Sequence, residues 1–435
     1  MKAIIFIFIG LVGQVLMAQV PAPIAQQYNR ILIQNGRVHT GLGKIIPRGV
    51  VGIEEGKIIL VANALTYKME SSSWDTIINI QGQELYPGFI AANNTIGLTE
   101  IDAVRATNDY REVGYISPHV RSLIAFNLDS KIIYTIRTNG VLICQATPRG
   151  GLISGTSSVF GLDGWHWEDA VILKDDGIHV NWPSRFYQTG WWAAPGLLKE
   201  NDKYATVIES LTAFFKESQA YLSEKDQEQI SIKHAAMRNV LMGNGRIYFH
   251  ADFAPEINDV IDFAKVFKIK YPVIVGGHDA SFLADRLKEN DFTIMLSKPH
   301  HLPYFEGDQP YDNYQTAKLL QDAGLLFCIQ NAGSMEVMNA RNLPFLAGTA
   351  MAYGLTEEQA VACISYNAAK ILGVDHLVGS IADGKVATLF VSKGNALDMR
   401  TNNVSLGMIN GRFIALENHQ MALSKKYHQK YQLTD

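Results

Sequence analysis

The sequence predicts an α/β protein: a (β/α)8 TIM-like barrel carrying a small composite β-sandwich domain formed by N- and C-terminal segments. Three observations lead there. Short strand-like runs stand at both ends of the chain, strand and helix patterns alternate through its long middle, and the later units of that middle recur at roughly 25–35 residues, the spacing of a barrel. With 435 residues, of which 47% are apolar, the chain has the make-up of a globular protein. A net charge of −4 and the lack of any Lys/Arg-rich run exclude a nucleic-acid footprint.

Taken in order, the first segment reads as a secretory signal. Lys2 supplies a positive start, residues 3–17 are almost wholly apolar, and Ala18 precedes a cut at Gln19. The run is short for a bilayer span, which needs ~20 apolar residues. A secreted or periplasmic protein is expected, with no membrane span once the signal is removed. Residues 31–62 then read as short strands, with Glu55-Gly56 as a hairpin turn between apolar runs. Runs at 379–391 and 405–414 echo them near the other end. The expected organisation is a signal peptide at 1–18, a composite β domain from 29–86 plus 378–415, a barrel at 87–377 and a tail at 416–435.

In the middle, apolar strands are expected at 140–145, 246–249, 272–275, 292–296 and 325–329. Helices are expected at 206–224, 226–241, 255–267, 280–289 and 314–323. This alternation argues for a parallel sheet covered by helices. A doubly wound open sheet is the rival, and no Gly-x-Gly-x-x-Gly turn supports it. Cys144, Cys328 and Cys363 each sit in an apolar run, so buried free thiols are expected rather than a disulfide framework.

Residues 85–95 read Leu-Tyr-Pro-Gly-Phe-Ile-Ala-Ala-Asn-Asn-Thr. The stretch resembles the end of the first barrel strand in metal-dependent amidohydrolases, roughly Pro-Gly-Phe-Ile-Asp-x-His-x-His. Three further stretches strengthen the resemblance: Ile-Tyr-Phe-His-Ala-Asp ending at Asp252, Val-Ile-Val-Gly-Gly-His-Asp-Ala ending at Ala280, and Ala-Ala-Lys-Ile-Leu-Gly with Gly-Ser-Ile-Ala-Asp-Gly-Lys ending at Lys385. The subgroup most similar is the imidazolonepropionase-like one. Such proteins hold a divalent metal with a first-strand His pair, with His on strands five and six, and with Asp on strand eight. The metal activates a water and polarises the scissile carbonyl.

What the resemblance implies here is mixed. His250 matches the strand-five ligand and His278 the strand-six ligand. Asn93 and Thr95 stand at the first-strand His positions, and Asn331 stands near the strand-eight Asp. The usual base is absent, so the catalytic residue is unknown. A catalytic zinc needs three protein ligands, and His300 or His301 could supply a third. The cofactor expected is one divalent metal, zinc first, or none. Lys298 is a candidate charge contact for substrate.

Glu100, Asp102, Arg105, Asp109, Arg111 and Glu112 form either a rebuilt acid/base site or a solvated loop. The Gly-rich stretch 149–164 reads as a flexible connection or lid. Beyond it cluster Trp165, Trp167, Trp182, Trp191 and Trp192, which either line a pocket, with Trp165 and Trp167 binding substrate, or cover the barrel or an interface. Two functions remain open. One is a hydrolase of carbon–nitrogen bonds acting on a small amide-type molecule with an altered metal site. The other is a catalytically inactive barrel that binds a ligand or assembles as a homo- or hetero-oligomer with a related protein.

Overall fold

The structure is a computed structural model and describes residues 23, 25–68, 70–191, 193–224, 230–304, 307–333 and 335–433. The segment read as a signal peptide, Trp192 and part of the helix expected at 226–241 lie outside the described residues. Among those described, no helix is long and apolar enough to cross a membrane.

The chain opens with β1 (Ile31–His39), β2 (Ile45–Glu54), β3 (Lys57–Asn63), β4 (Thr76–Asn79) and β5 (Glu84–Pro87). Then come β6 (Phe89–Asn94), β7 (Val141–Ala146), β8 (Ile153–Gly161) and β9 (Val171–Asn181). A separate hairpin joins β10 (Phe186–Trp191) to β11 (Ala194–Glu200). Next are β12 (Arg246–Ala251), β13 (Pro272–Gly276), β14 (Thr293–Leu296) and β15 (Phe327–Ile329), and β16 (Leu389–Ser392), β17 (Val404–Ile409) and β18 (Arg412–Phe413) follow.

Both ends of the chain share one sheet, ordered β18-β17-β16-β5-β1-β2-β3, with β4 on β1. The turn between β2 and β3 falls on Glu55 and Gly56, whose φ values of 49° and 77° suit a two-residue hairpin. A buried polar joint ties this sheet to the rest. His39 Nδ1 lies 2.7 Å from Glu358 and its Nε2 2.8 Å from Glu84, while Arg37 pairs with Glu84 and Glu357. Glu357 and Glu358 open the helix Glu357–Cys363 on the barrel side.

The second sheet is the barrel, ordered β15-β14-β13-β12-β9-β8-β7-β6. Its neighbours are parallel except around β8, which runs antiparallel to both β7 and β9. The reason is local. Only residues 147–152 separate β7 from β8, too few for a parallel crossover, which takes a dozen or more. The stretch expected as a lid is therefore mostly strand. All of β8 is buried, and its serines are satisfied inside: Ser157 bonds Gln145 and His179, and Ser158 accepts from the Asp175 N–H.

Ile90, Ile143, Tyr248, Val275, Met295 and Cys328 pack together inside the barrel, and the helix Tyr366–Leu372 seals its lower end. The lower barrel is thus a packed core. The three cysteines are free and buried, and burial pushes their thiols up, Cys328 to about 12. The edge strands β6 and β15 share no ladder. Side chains join them instead: Asn94 Nδ2 donates to Asn331 Oδ1 at 3.1 Å and Asn93 Nδ2 reaches Gln330 Oε1 at 3.5 Å.

Candidate functional site

Counting β6 as strand one puts β12 fifth, β13 sixth and β15 eighth. His250 ends strand five, His278 follows strand six, and Asn331 follows strand eight, all at the barrel mouth. His250 does not turn towards His278. Its Nε2 lies 2.9 Å from Nδ1 of His179 on β9, whose own Nε2 lies 2.9 Å from Ser157 Oγ. Burial, then the charge of Arg149, pushes the His250 imidazole down to about 3. Burial, then His250 and Arg149, pushes His179 well below its ordinary value. His179 escaped the sequence reading, although the alternation Gly177, His179, Asn181 was the signal of a strand end.

A chain of buried polar groups continues from there. Gln145 donates to Ser157 Oγ at 3.1 Å and to Asp176 Oδ2 at 2.8 Å, and it accepts from the Asn93 N–H at 2.9 Å. Tyr248 donates its hydroxyl proton to the same Asp176 oxygen. Burial raises the Asp176 carboxyl above its ordinary value, against the pull of Tyr248, Ser157 and Gln145.

The rim between strands one and eight is held by Arg149, which follows β7. Asn93 has φ of 49°, a left-handed turn that asparagine tolerates. It offers its side-chain oxygen to Arg149 at 2.8 Å and its carbonyl at 2.9 Å. Arg149 also donates to both carboxylate oxygens of Glu336 at 3.0 Å, and the Glu336 side chain is only 8% exposed. Glu336 further accepts from the Gly333 N–H, and Asn331 donates to the Glu336 carbonyl. Thr95 Oγ1 is buried without a partner. In the charged loop after strand one, burial, then the charge of Glu336, raises the Asp102 carboxyl.

The rim across strands five to seven is built differently. The His278 ring stands 4.7 Å from Tyr304, 5.8 Å from Phe253 and 6.0 Å from His301, centroid to centroid. Burial pushes His278 down, against the pull of Asp279. Asp252 lies beneath, its Oδ1 buried without a partner. Burial pushes its carboxyl up to about 6, although a hydrogen bond from the His278 N–H lowers it. His300 points elsewhere, its Nε2 2.7 Å from Thr349 Oγ1. Lys298 reaches over Gly333 at the strand-eight side.

The comparisons with known proteins now have a geometry to be set against. The amidohydrolase family model matches residues 256–414. Among solved structures, an amidohydrolase from Thermotoga maritima superposes with a TM-score of 0.75 at 22% identity, covering 88% of this chain and 99% of that one. An adenosine deaminase from Xanthomonas campestris with bound zinc superposes at 0.51 and 12% identity, covering 93% and 98%. A prolidase complexed with N-methylphosphonate-L-proline superposes at 0.51 and 15%, covering 88% and 99%. No curated protein matches the chain. The chain thus shares the fold of these proteins, and the amidohydrolase model matches its later part.

The likeness to amidohydrolases raises the question of a metal, and the donors here do not fit one. The His250 Nε2 is engaged with His179. The oxygens of Asn93 accept from a guanidinium, and Asn331 Oδ1 accepts from Asn94. Arg149 already brings a positive charge near His250, which a metal would have to share. Among the described residues, no group of three or more His, Cys, Asp or Glu side chains is placed to hold an ion.

Two other expectations for the amidohydrolase mouth need correction. β8 starts at the mouth and ends at the opposite rim, as its pairing of Ser158 with Ala146 and Gly161 with Ile143 shows. Trp165 and Trp167 lie between β8 and β9, so they sit at the far end of the barrel and do not line the mouth. Nor do the other described tryptophans of the cluster gather there: Trp182 is buried against Phe249 and Phe263, and Trp191 is exposed on the separate hairpin.

Proposed function

We propose that this chain is an exported amidohydrolase-fold protein whose barrel mouth binds a small ligand without the family's metal. The observation that carries the reading is the clasp of Arg149 on Asn93 and Glu336. It sets an arginine against the first-strand ligand position and ties that position to a carboxylate beyond strand eight. A guanidinium is permanently charged and cannot activate a water as a metal does. Export rests on the apolar run at residues 3–17 behind Lys2.

One competing reading has a specific observation in its favour. The imidazoles of His278 and His301 stand 6.0 Å apart, tilted by 60°, and a divalent metal held by them would support hydrolysis of carbon–nitrogen bonds. Elemental mass spectrometry of the mature protein, purified without chelator, separates the two. The metal-free reading expects far less than one equivalent of zinc, with no change in His250→Ala or His278→Ala. About one equivalent, lost in His278→Ala, would replace it with the hydrolase reading.

A further inference from the structure

We propose that a cavity on the outer flank of the barrel, away from the mouth, binds a small organic carboxylate. Three observations carry it: a gap left by the strand reversal, the charge of its lining and the apolar remainder of that lining.

The gap follows from β8. A regular barrel strand is followed by a helix that covers the outside of the sheet. Here residues 147–152 alone join β7 to β8, and residues 162–170 join β8 to β9 with a helix of only four residues. A stretch of loop lies along β8 instead. Arg121 pairs with Thr156 in an isolated bridge, the Thr156 N–H donates to the Val120 carbonyl, and the Thr156 hydroxyl donates to the Pro118 carbonyl at 2.8 Å. Thr156 and Ile178 pair across β8 and β9 and turn outward, because Ser157 and His179 beside them point inward. On the other side stand the short helices Ile232–Ala236 and Arg238–Leu241. Between loop and helices opens a cavity of about 320 Å³, the size of a small-molecule site.

Arg121, Arg238 and His119 line this cavity, and Asp175 is its only carboxylate among the described residues. Arg121 is matched by Asp175, to which its Nε donates at 2.8 Å and its Nη2 at 2.6 Å. Arg238 is exposed and pairs with no Asp or Glu among the described residues. The lining thus keeps one positive charge in excess, which attracts a single negative charge. Burial, then the charge of Lys233, pushes the His119 imidazole down. Its Nδ1 is buried without a partner, which leaves Nε2 to meet a ligand.

The remaining wall decides what carries the negative charge. Pro118, Ile178, Ile232 and Val240 are apolar, and they favour an apolar body over a bare, strongly hydrated anion. A guanidinium matches a carboxylate in a planar fork. The ligand class is therefore a monocarboxylate on a small apolar body.

The site is independent of the mouth, so its failure leaves the metal-free reading standing. Benzoate is titrated into the full mature chain and followed by calorimetry, with benzamide as its neutral counterpart and inorganic phosphate as an anion without an apolar body. Millimolar binding is expected for benzoate, and none for benzamide or phosphate at the same concentrations. Arg238→Gln should weaken benzoate about fivefold, and Ile232→Asp, which sets a carboxylate on the wall, should weaken it further. Lys298→Gln, at the mouth, should leave it unchanged. Arg238 and Ile232 are both exposed, so their variants should keep the circular dichroism of the parent.

No benzoate binding by a folded sample would overturn the site. Equal binding of benzamide would overturn it too, since the charge would then play no part. So would phosphate binding that falls in Arg238→Gln, which would mark a bare anion site. Benzoate binding that survives Arg238→Gln and Ile232→Asp but falls in Lys298→Gln would put the carboxylate at the mouth and overturn the flank site.

Discussion

At the barrel's strand-one and strand-eight rim, Arg149 spans Asn93 and Glu336, and the asparagines bond one another across the seam. At the strand-five to strand-seven rim, carboxylates line a cavity and rings stand half exposed. Both rims descend from strand tips where a (β/α)8 barrel places its chemistry. The difference teaches which rim holds the barrel closed. The first rim serves to close the barrel, since no ladder joins β6 to β15. At the second, Asp279 accepts from the Ala254 N–H and lies 3.7 Å from His278, and no Lys or Arg pairs with it among the described residues.

The largest expected effect breaks the closed rim. Arg149→Met strands the Glu336 carboxylate, whose side chain is 8% exposed, without its cation. Breaking one partner of a buried pair typically costs about 3–5 kcal/mol, so urea unfolding should show a loss of that order. A loss under about 1 kcal/mol would mean that the clasp is a surface pair.

A smaller, pH-dependent effect is expected at the joint between the β sheet and the barrel, which is also fully paired. Burial pushes the His39 imidazole down, but its bonds to Glu358 and Glu84 outweigh this and raise it above 6.5. The stability it contributes is therefore complete below 6.5 and is lost as pH rises through the raised folded value. Burial pushes Glu84 up, but His39 and Arg37 outweigh this and lower it below 4.5. Its contribution is complete above 4.5 and is lost as pH falls through the lowered folded value. Arg37 and Glu357 complete the group. His39→Gln should therefore cost about 2 kcal/mol between those limits and progressively less at alkaline pH. A pH-independent difference in thermal unfolding would contradict this.

The smallest effect sharpens the comparison. Asp279→Asn, on the open rim, removes a charge that no Lys or Arg side chain pairs with among the described residues. It should change stability by less than about 1 kcal/mol, since only the backbone bond to Ala254 is at stake and an amide oxygen can still accept it. The same kind of charge removal that is severe at one rim is mild at the other.

Much of this was legible in the sequence. The apolar runs now seen as β7, β12, β13, β14 and β15, the helix patterns after them and the Glu55-Gly56 turn depend on local periodicity, which a single chain displays. His250 and His278 sit at the strand tips where the resemblance to amidohydrolases put them. What was missed depends on distance along the chain. Arg149 and Glu336 are 187 residues apart, and nothing local marks them as partners. β8 was hidden because its Gly and Ser residues imitate a loop, though their hydroxyls are satisfied within the barrel. The tryptophan cluster misled because β8 reverses direction and carries Trp165 and Trp167 to the far end.

The central claim is that an arginine clasp, and no metal, organises the mouth. Thermal unfolding of the mature protein in excess chelator and in excess zinc tests it directly, because an ion that binds the folded chain raises its midpoint. The account predicts coincident curves. A midpoint lowered by chelator and restored by zinc would contradict it.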